Sequence, residues 1–255
     1  MKIAFAGKGG TGKTTLSALF IRTLADEKRD VLAVDCDPDS NLGTALGFAD
    51  AHKITPIIEM EELIRKRMGV SEDGTLFKLN PKIDDIPDKF SKAKGNIRLI
   101  VMGAIKKGGS GCACPENAFV KSLMGHLVLR SNEDVVMDME AGLEHFGRGT
   151  AESCDSVLIV VEPSFKSISS AIRINRLAKD LKMKNCFVIA NKVRLKEDLS
   201  FIKEKLGKGL EVIEEIPFSK DILLSDKVGD ITKINGGLLD KMRRCRSFLS
   251  KQVGR

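Results

Sequence analysis

The sequence contains no long apolar run, internal repeat or low-complexity tract. No stretch approaches the ~20 apolar residues that a membrane-spanning helix needs. The first apolar run, Ile3–Ala6, stops at Gly7 and is too short for the core of a signal peptide. The six cysteines are scattered over 255 residues, which excludes the dense disulfide framework of a small secreted protein. We therefore predict a cytoplasmic protein without a transmembrane segment, in which most thiols are reduced.

The chain also lacks a strong excess of charge of one sign. Its 42 Lys and Arg against 35 Asp and Glu give a formal net charge of +7, which suits an anionic ligand, an acidic partner, DNA or no partner at all. Because DNA binding would rest on this charge alone, we do not expect a nucleic-acid partner. A chain with 42% hydrophobic residues can bury a sizeable core, and we expect residues 1–255 to form a single domain.

Short apolar segments alternate along the chain with longer amphipathic segments. Strands are predicted at Lys2–Ala6, Val31–Asp37, Ile97–Met102, Val135–Met139, Val157–Val161, Phe187–Ala190 and Val212–Ile216. Helices are predicted at Thr11–Lys28, Glu59–Met68, Ala118–Ser131, Ser167–Leu181, Lys196–Leu206 and Leu238–Val253. The alternation predicts an α/β fold with a mostly parallel, doubly wound sheet flanked by helices. Ligands of such sheets bind outside the carboxyl ends of the strands. Residues 70–95 match neither pattern and are predicted to be irregular.

The segment GKGGTGKTT, residues 7–15, lies between the first predicted strand and the first predicted helix. It fits the P-loop pattern G-x-x-x-x-G-K-S/T, in which backbone N–H groups and the helix N-terminus surround phosphates. Lys13 would neutralise the β- and γ-phosphates, and the Thr14 hydroxyl would bind Mg²⁺. The predicted nucleotide-binding residues are Gly7, Gly9, Gly10, Thr11, Gly12, Lys13, Thr14 and Thr15. The alternative is a glycine turn without a ligand.

A second lysine, Lys8, directly follows the first glycine of this loop. The sequence KGGTGKT resembles the deviant P-loop of the MinD, ParA and nitrogenase-iron-protein class of dimeric ATPases. The resemblance implies that the nucleotide is ATP and that the protein works as a homodimer. It also implies that Lys8 crosses to the phosphates held by the partner subunit, as an arginine finger does, and such a cation can be worth ~10³–10⁵ in rate. The alternative for Lys8 is a solvated loop charge.

An acidic segment, VDCDPDSNL at residues 34–42, follows the second predicted strand. In extended backbone Asp35 and Asp37 share one face and Cys36 takes the other. By the same resemblance this is the first switch, in which Asp37 positions the attacking water, Asp35 lies near Mg²⁺ and Asn41 contacts a phosphate oxygen. Ordinary capping of a strand end is the alternative.

A second acidic segment, VVMDMEAG at residues 135–142, ends an apolar strand. Asp138 would hold a Mg²⁺-bound water, as the acid of a Walker B element does. By resemblance Gly142 would be a second-switch glycine that senses the γ-phosphate. Capping of a strand end is again the alternative.

The segment VIANK, residues 188–192, ends another predicted strand. The resemblance implies that Asn191, with Lys192 beside it, contacts the nucleobase and that Pro217 packs against the base. The pattern N-K-x-D that reads guanine is absent, because Arg194 stands in the place of the aspartate. Adenine is therefore the expected base.

Two cysteines, Cys112 and Cys114, flank one alanine in the glycine-rich segment GGSGCACPEN, residues 108–117. The spacing is too tight for a comfortable disulfide but suits two thiolates that bind one metal ion. Pro115 suits the first position of a helix, so Cys114 would be its N-cap, where the pKa of a thiol is lowered. Because a soft divalent ion prefers four ligands, two copies of the pair across a two-fold axis would close a Ni²⁺ or Zn²⁺ site. The alternatives are incidental thiols in a surface loop, or a site within one subunit that uses His126.

Four motifs in this order resemble the CooC-type carbon monoxide dehydrogenase accessory ATPases: the deviant P-loop, DCDPDSNLG, the Cys-x-Cys before a helix, and DMEAGLEHFGRGT. The resemblance implies ATP-dependent insertion of nickel, with carbon monoxide dehydrogenase as the client. The related accessory ATPase of acetyl-CoA synthase stays open as an alternative. An iron–sulfur reductase is disfavoured, because residues 140–142 of the second switch contain no cysteine.

A function of another class is a MinD- or ParA-like positioning ATPase that acts on a membrane or on DNA. The last predicted helix, Leu238–Val253, carries apolar residues beside several arginines and lysines, as a helix on an anionic bilayer would. Such a helix also suits packing on the sheet with its charges solvated. The remaining cysteines are predicted to be small structural hydrophobes; they are Cys36, Cys154, Cys186 and Cys245.

Overall fold

The computed structural model describes residues 1–71, 76–78, 80–103, 115–130, 133–140, 142–143, 146, 148–231, 234 and 236–253. Its strands are β1 (Lys2–Ala6), β2 (Val31–Cys36), β3 (Lys92–Lys94), β4 (Ile97–Val101), β5 (Asp134–Met139), β6 (Ser156–Val161), β7 (Cys186–Val193) and β8 (Glu211–Pro217). They form one sheet in the order β3-β4-β2-β5-β1-β6-β7-β8. Every neighbouring pair is parallel except β3 and β4, which form an antiparallel pair at the edge. The predicted α/β class and the mostly parallel sheet are therefore confirmed.

Helices cover both faces of the sheet. They are α1 (Lys13–Asp26), α2 (Leu42–Ala45), α3 (Glu61–Met68), α4 (Ile86–Phe90), α5 (Pro115–Arg130), α6 (Arg148–Glu152), α7 (Phe165–Asp180), α8 (Lys196–Leu206), α9 (Lys220–Val228) and α10 (Gly237–Val253). One apolar core joins a face of the sheet to α1 and α10, and the other joins the opposite face to α3, α5, α7 and α8. The central strands are buried on both faces, which explains their continuous apolar sequences. None of the described helices combines the length and hydrophobicity of a membrane span.

Every predicted strand and helix is present, with bounds that agree within three residues. Helix α1 begins at Lys13 rather than at Thr11, because Gly12 before it has a left-handed backbone (φ 93°). Helix α7 begins at Phe165, earlier than predicted, because the Ser164 side chain accepts a hydrogen bond from the Ser167 N–H and caps it.

The prediction that residues 70–95 are irregular is wrong in part, because α4 and β3 lie within this range. All three residues of β3 are exposed, so its sequence carries no apolar alternation that would reveal a strand. The strand forms because a tight turn at Gly95 (φ 60°) and Asn96 folds it back on β4.

The structural interpretation of four cysteines is confirmed. Cys36 and Cys186 lie on strands, and Cys154 lies just before β6. Cys245 faces the core from α10. Of these four side chains only that of Cys186 is partly exposed.

Candidate nucleotide site

The P-loop connects β1 to α1 at the carboxyl edge of the sheet, and two of its glycines have no room for a side chain. At Gly7 (φ 146°) a Cβ would lie 2.5 Å from the carbonyl oxygen of Val160. At Gly12 (φ 93°) it would lie 2.5 Å from Nδ2 of Asn191. The close approach of neighbouring strands therefore requires glycine at both positions.

The loop is closed by its own hydrogen bonds. The N–H of Thr11 (3.3 Å) and its hydroxyl (2.8 Å) both donate to the carbonyl oxygen of Lys8. The Lys13 residue is buried, and its ammonium makes no hydrogen bond or ion pair with any described residue. The Lys8 side chain is half-buried and likewise has no such partner in the described parts of the chain. Both cations are thus available to an anionic ligand.

A cleft of about 370 Å³ opens between the P-loop and the ends of β2, β7 and β8. Its lining contains most of the predicted nucleotide-binding residues, namely Gly9, Gly10, Gly12, Lys13, Thr14, Thr15, Asn191, Lys192 and Pro217. The switch residues Asp37 and Asn41 line it as well. The structure therefore brings together residues that are up to about two hundred positions apart in the sequence, as expected for the carboxyl edge of a parallel sheet.

Asp35 and Asp138 are register neighbours on β2 and β5, and both are fully buried. The Asp35 carboxylate accepts hydrogen bonds from the N–H groups of Asp37 (3.1 Å) and Leu42 (2.9 Å). Burial raises the pKa of Asp35 to about 7, although these two hydrogen bonds act in the opposite direction. Asp35 therefore folds the first switch back onto the end of its own strand.

Asp138 differs, because neither of its carboxylate oxygens has a hydrogen-bond partner of normal geometry among the described residues. Burial raises the pKa of Asp138 to about 8 and the charge of Asp35 adds to the rise, while the Thr14 hydroxyl and the Lys13 ammonium oppose it. A buried carboxylate without partners needs a cation or an ordered water. Oxygen ligands of this kind suit Mg²⁺ and its water shell, so these residues fit the predicted magnesium site.

Asp37 stands at the wall of the cleft and is only half-buried. Its Oδ1 accepts a hydrogen bond from the N–H of Asp39 (3.0 Å). Its carbonyl oxygen accepts one from the N–H of Ser40 (3.1 Å), a residue in the left-handed region (φ 47°). The second oxygen of the Asp37 carboxylate remains available to a water in the cleft.

Asn191 and Lys192 line the base end of the cleft, and the structure gives them contacts that the sequence did not indicate. Nδ2 of Asn191 donates to the carbonyl oxygen of Thr11 (2.7 Å). Nζ of Lys192 donates to the carbonyl oxygen of Gly10 (2.5 Å) and pairs with Glu162 (3.0 Å). Both side chains therefore hold the backbone of the P-loop.

Phe218 is a cleft residue that sequence reasoning missed. It follows Pro217 at the end of β8, lines the cleft and is 37% exposed. The guanidinium of Arg194 lies 4.2 Å from the centre of its ring, at cation–π distance. A large aromatic residue directly after a strand end was the signal that could have found it.

The predicted metal ligands Cys112 and Cys114 lie outside the described residues, as does His145. His126 lies on α5 and is half-buried. Within the described parts of the chain, no group of three or more His, Cys, Asp or Glu side chains is arranged to hold a metal ion. The Cys-x-Cys site therefore stays a prediction.

Known proteins resemble this chain over most of its length. A family model described as the CobQ/CobB/MinD/ParA nucleotide binding domain matches residues 2–230. The carbon monoxide dehydrogenase accessory protein CooC of Rhodospirillum rubrum is 41% identical, over 100% of this chain and 98% of its own length. An uncharacterised ATP-binding protein of Methanocaldococcus jannaschii is 40% identical over 98% of both chains.

A solved structure extends the likeness to the fold. The septum site-determining protein MinD of Pyrococcus horikoshii, in complex with Mg-ADP, has a TM-score of 0.69 at 16% identity. The match covers 99% of this chain and 96% of that one. At this identity the likeness concerns the fold alone.

Proposed function

This chain belongs to the family of CobQ/CobB/MinD/ParA nucleotide-binding domains and is an ATPase, and we propose that it inserts nickel into carbon monoxide dehydrogenase. The observation that carries the proposal is the extent of the match to the accessory protein of Rhodospirillum rubrum, which covers the entire chain at 41% identity. The residues beyond the P-loop, on which a particular client would depend, are part of that match.

The arrangement of the cleft supports hydrolysis of ATP. The P-loop N–H groups and the unpartnered Lys13 ammonium would hold the β- and γ-phosphates. Thr14 and Asp138 would hold Mg²⁺, which would neutralise negative charge on the phosphates. Asp37, with a free carboxylate oxygen at the cleft wall, would orient the attacking water. Asp35 already accepts two backbone N–H groups, so we propose that it acts by shaping the switch.

A homodimer would complete the site. The Lys8 ammonium has no hydrogen-bond or ion-pair partner among the described residues of its own chain. A half-buried lysine without such a partner, directly before the cleft residues Gly9 and Gly10, is suited to the phosphates bound by a second copy. The Lys8 ammonium would then supply positive charge at the transition state only when two subunits close on ATP.

Nickel would be the cargo, carried by the two cysteines of each chain. Four of the six cysteines are described, and burial raises the pKa of each, to about 12 for Cys154, Cys186 and Cys245. These thiols stay protonated at neutral pH and are poor metal ligands. Cys112 and Cys114 are the remaining pair, and two copies of it would provide the four thiolates of a shared Ni²⁺ or Zn²⁺ site.

The alternative of a membrane-positioning ATPase receives little support from α10. The apolar residues of this helix are buried against the sheet; they are Leu238, Leu239, Met242, Cys245 and Leu249. Four of its five basic residues are paired, since Lys241 and Arg244 contact Glu214, Arg243 contacts Asp240 and Arg246 contacts Glu27. In the described range 236–253 the helix therefore has no unoccupied apolar side for a bilayer. The accessory ATPase of acetyl-CoA synthase stays the alternative client assignment.

The proposal is tested by activation of nickel-free carbon monoxide dehydrogenase with the purified protein, Ni²⁺ and ATP. We expect faster activation at limiting Ni²⁺ than with Ni²⁺ alone, and no acceleration with a non-hydrolysable ATP analogue. The Cys112→Ala, Cys114→Ala double variant should hydrolyse ATP but fail to activate the enzyme. Equal activation by wild type and the double variant, or none by wild type, would contradict the proposal.

A further inference from the structure

The carboxyl end of β7 carries a backbone irregularity beside the P-loop. The pairing of β7 with β8 shifts register between Ala190 and Val193. Within this interval Lys192 has φ 59°, which is uncommon for a residue with a side chain. Successive side chains of a regular strand point to opposite faces, whereas a bulge changes their direction. The irregularity explains how Asn191 and Lys192, two successive residues, reach the same loop.

The two side chains hold two successive carbonyl groups of the P-loop. Asn191 donates to the oxygen of Thr11 at 2.7 Å, and Lys192 donates to the oxygen of Gly10 at 2.5 Å. Because the peptide group is planar, holding a carbonyl oxygen also fixes the direction of the N–H group that follows it. The bonds from β7 therefore help to fix two successive P-loop peptides, whose N–H groups belong to Thr11 and Gly12.

Glu162 holds the lysine in place. Its Oε2 lies 3.0 Å from Nζ of Lys192, and its side chain is 26% exposed. The backbone of Glu162 is itself tied to the start of α7, because its N–H donates to the Ser167 hydroxyl (3.1 Å) and its carbonyl oxygen accepts the Ser164 N–H (2.7 Å). We call Gly10, Glu162 and Lys192 the lysine clasp.

The clasp acts on the most pliable part of the loop. Gly9 and Gly10 are exposed, and a Cβ at either position would meet no atom within 4 Å, so the space on this side of the stretch is open. A glycine peptide can rotate easily, and a rotated Gly10 carbonyl would turn its negative end toward the phosphates. A charged donor on that oxygen opposes the rotation, since charge-assisted hydrogen bonds are about twice as strong as neutral ones.

We infer that Lys192 is a positioning residue of the ATPase, which holds the P-loop in its phosphate-binding conformation through Gly10 and is itself oriented by Glu162. The inference revises the expectation that Lys192 contacts the nucleotide directly. It rests on the nucleotide site alone and is independent of the metal cargo and the client.

The test measures the affinity of Lys192→Met for ADP and for pyrophosphate, by displacement of a fluorescent ATP analogue. This substitution removes the ammonium but keeps an unbranched apolar stem. We expect both dissociation constants to rise by about ten-fold, as for the loss of one hydrogen bond to a charged group. KM for ATP should rise with kcat nearly unchanged, because the contact supports ground state and transition state alike. Lys192→Arg should recover part of the loss.

Two further variants separate positioning from folding. Lys192→Gly relieves the positive φ, so it should melt no lower than wild type yet lose affinity as Lys192→Met does. Lys203→Met, at an exposed lysine of α8 without a hydrogen-bond or ion-pair partner among the described residues, should bind both ligands as wild type does. Glu162→Gln should weaken binding by about three-fold alone and cause no further loss in the Lys192→Met background.

Three results would overturn the inference. Unchanged binding of both ligands by Lys192→Met would show that the clasp has no effect on the loop. A loss for ADP but not for pyrophosphate would assign Lys192 to the nucleoside instead. Additive effects of Glu162→Gln and Lys192→Met would show that the two residues act separately. Wild-type binding of ADP, measured in parallel, establishes the nucleotide site independently of these outcomes.

Discussion

Two fully buried carboxyl groups, at register positions of the neighbouring strands β2 and β5, differ in their hydrogen-bond partners. Asp35 accepts two backbone N–H groups of its own loop, whereas neither carboxylate oxygen of Asp138 has a hydrogen-bond partner of normal geometry among the described residues, although the Thr14 hydroxyl acts to lower its pKa. The cost of burying an unpaired polar group is considerable, so a fold retains one where a ligand will satisfy it. The difference assigns Asp35 to the scaffold, and we propose Asp138 as the residue that meets a cation.

The lysines of the P-loop and of β7 also differ in whether they have hydrogen-bond and ion-pair partners. Lys192 is engaged with Gly10 and Glu162, whereas Lys8 and Lys13 have no hydrogen-bond or ion-pair partner in the described chain. By the same reasoning we propose that Lys192 shapes the site and that Lys8 and Lys13 meet negative charge that arrives from outside the chain. Substitutions of partnered and unpartnered residues should therefore have different consequences.

The largest effect is expected for an unpartnered lysine. Lys8→Ala should lower ATP turnover by ~10³-fold or more, because its proposed target is the phosphate of the partner subunit. The variant should also fail to dimerise with a non-hydrolysable ATP analogue in light scattering. Lys203→Ala, a substitution at an exposed position of α8, serves as the control. A Lys8→Ala protein that dimerises and hydrolyses ATP as wild type does would refute the role in trans.

The second largest loss of ATP turnover is expected for Asp37→Asn. The carboxylate is proposed to orient the attacking water, and such groups contribute ~10²–10⁴ in rate. Binding of ATP and Mg²⁺ should be retained, since Asp37 holds neither in this account. Phosphate release measures the loss of turnover, and nucleotide titration measures the retained binding of ATP and Mg²⁺. Normal turnover would move the catalytic role to another acid.

The two buried acids should respond oppositely to the same change. Asp35→Asn leaves one acceptor oxygen for two N–H groups, so unfolding should become easier by about 1–3 kcal/mol. Asp138→Asn breaks no hydrogen bond of normal geometry within the described chain, so its stability should be unchanged or higher while Mg²⁺-dependent turnover falls. Urea denaturation measures both effects on stability. Equal destabilisation by the two substitutions would contradict the structural role of Asp35 and the ligand-binding role of Asp138.

The last prediction concerns the pH dependence of stability. Burial raises the pKa of Asp35 from 3.8 to about 7 and that of Asp138 to about 8. The folded state therefore holds protons that the unfolded state releases, and the free energy of unfolding should fall as pH rises from about 4 to about 8. The slope is at most about 1.4 kcal/mol per pH unit for each proton.

Urea denaturation in magnesium-free buffer across this pH range measures the slope. It should be shallower in Asp138→Asn, which has lost one of the titrating groups. A wild type whose stability is independent of pH, or a variant with an unchanged slope, would show that these carboxyls titrate normally.

The sequence was sufficient for the layers of the fold and for most of the P-loop residues that line the cleft. Strand–helix alternation predicted the sheet because each central strand is buried on both faces. The P-loop and Asp138 were predictable because phosphate and Mg²⁺ binding impose fixed spacings within one local segment. The edge strand β3 could not be predicted, because its three residues are all exposed and carry no alternation of buried and exposed positions.

The contacts that brace the site could not be read from the sequence. Asn191 and Lys192 reach the P-loop across about 180 positions, and they do so through a bulge that no local pattern marks. The motif alone indicated a base contact at this point. The stacking of Arg194 on Phe218 likewise depends on the meeting of β7 with β8. Long-range geometry of this kind follows from tertiary packing rather than from residue spacing.

The central claim is that two subunits hold one metal ion between them, and metal titration tests it most directly. Titration with Ni²⁺ under ATP, followed by sedimentation and by thiolate-to-metal absorbance, should saturate at one ion per two chains. Affinity should fall as pH drops, because the ligands must be deprotonated. The Cys112→Ala, Cys114→Ala double variant should lose tight binding but remain folded. One ion per chain on a monomer, or unchanged binding in the double variant, would contradict the account.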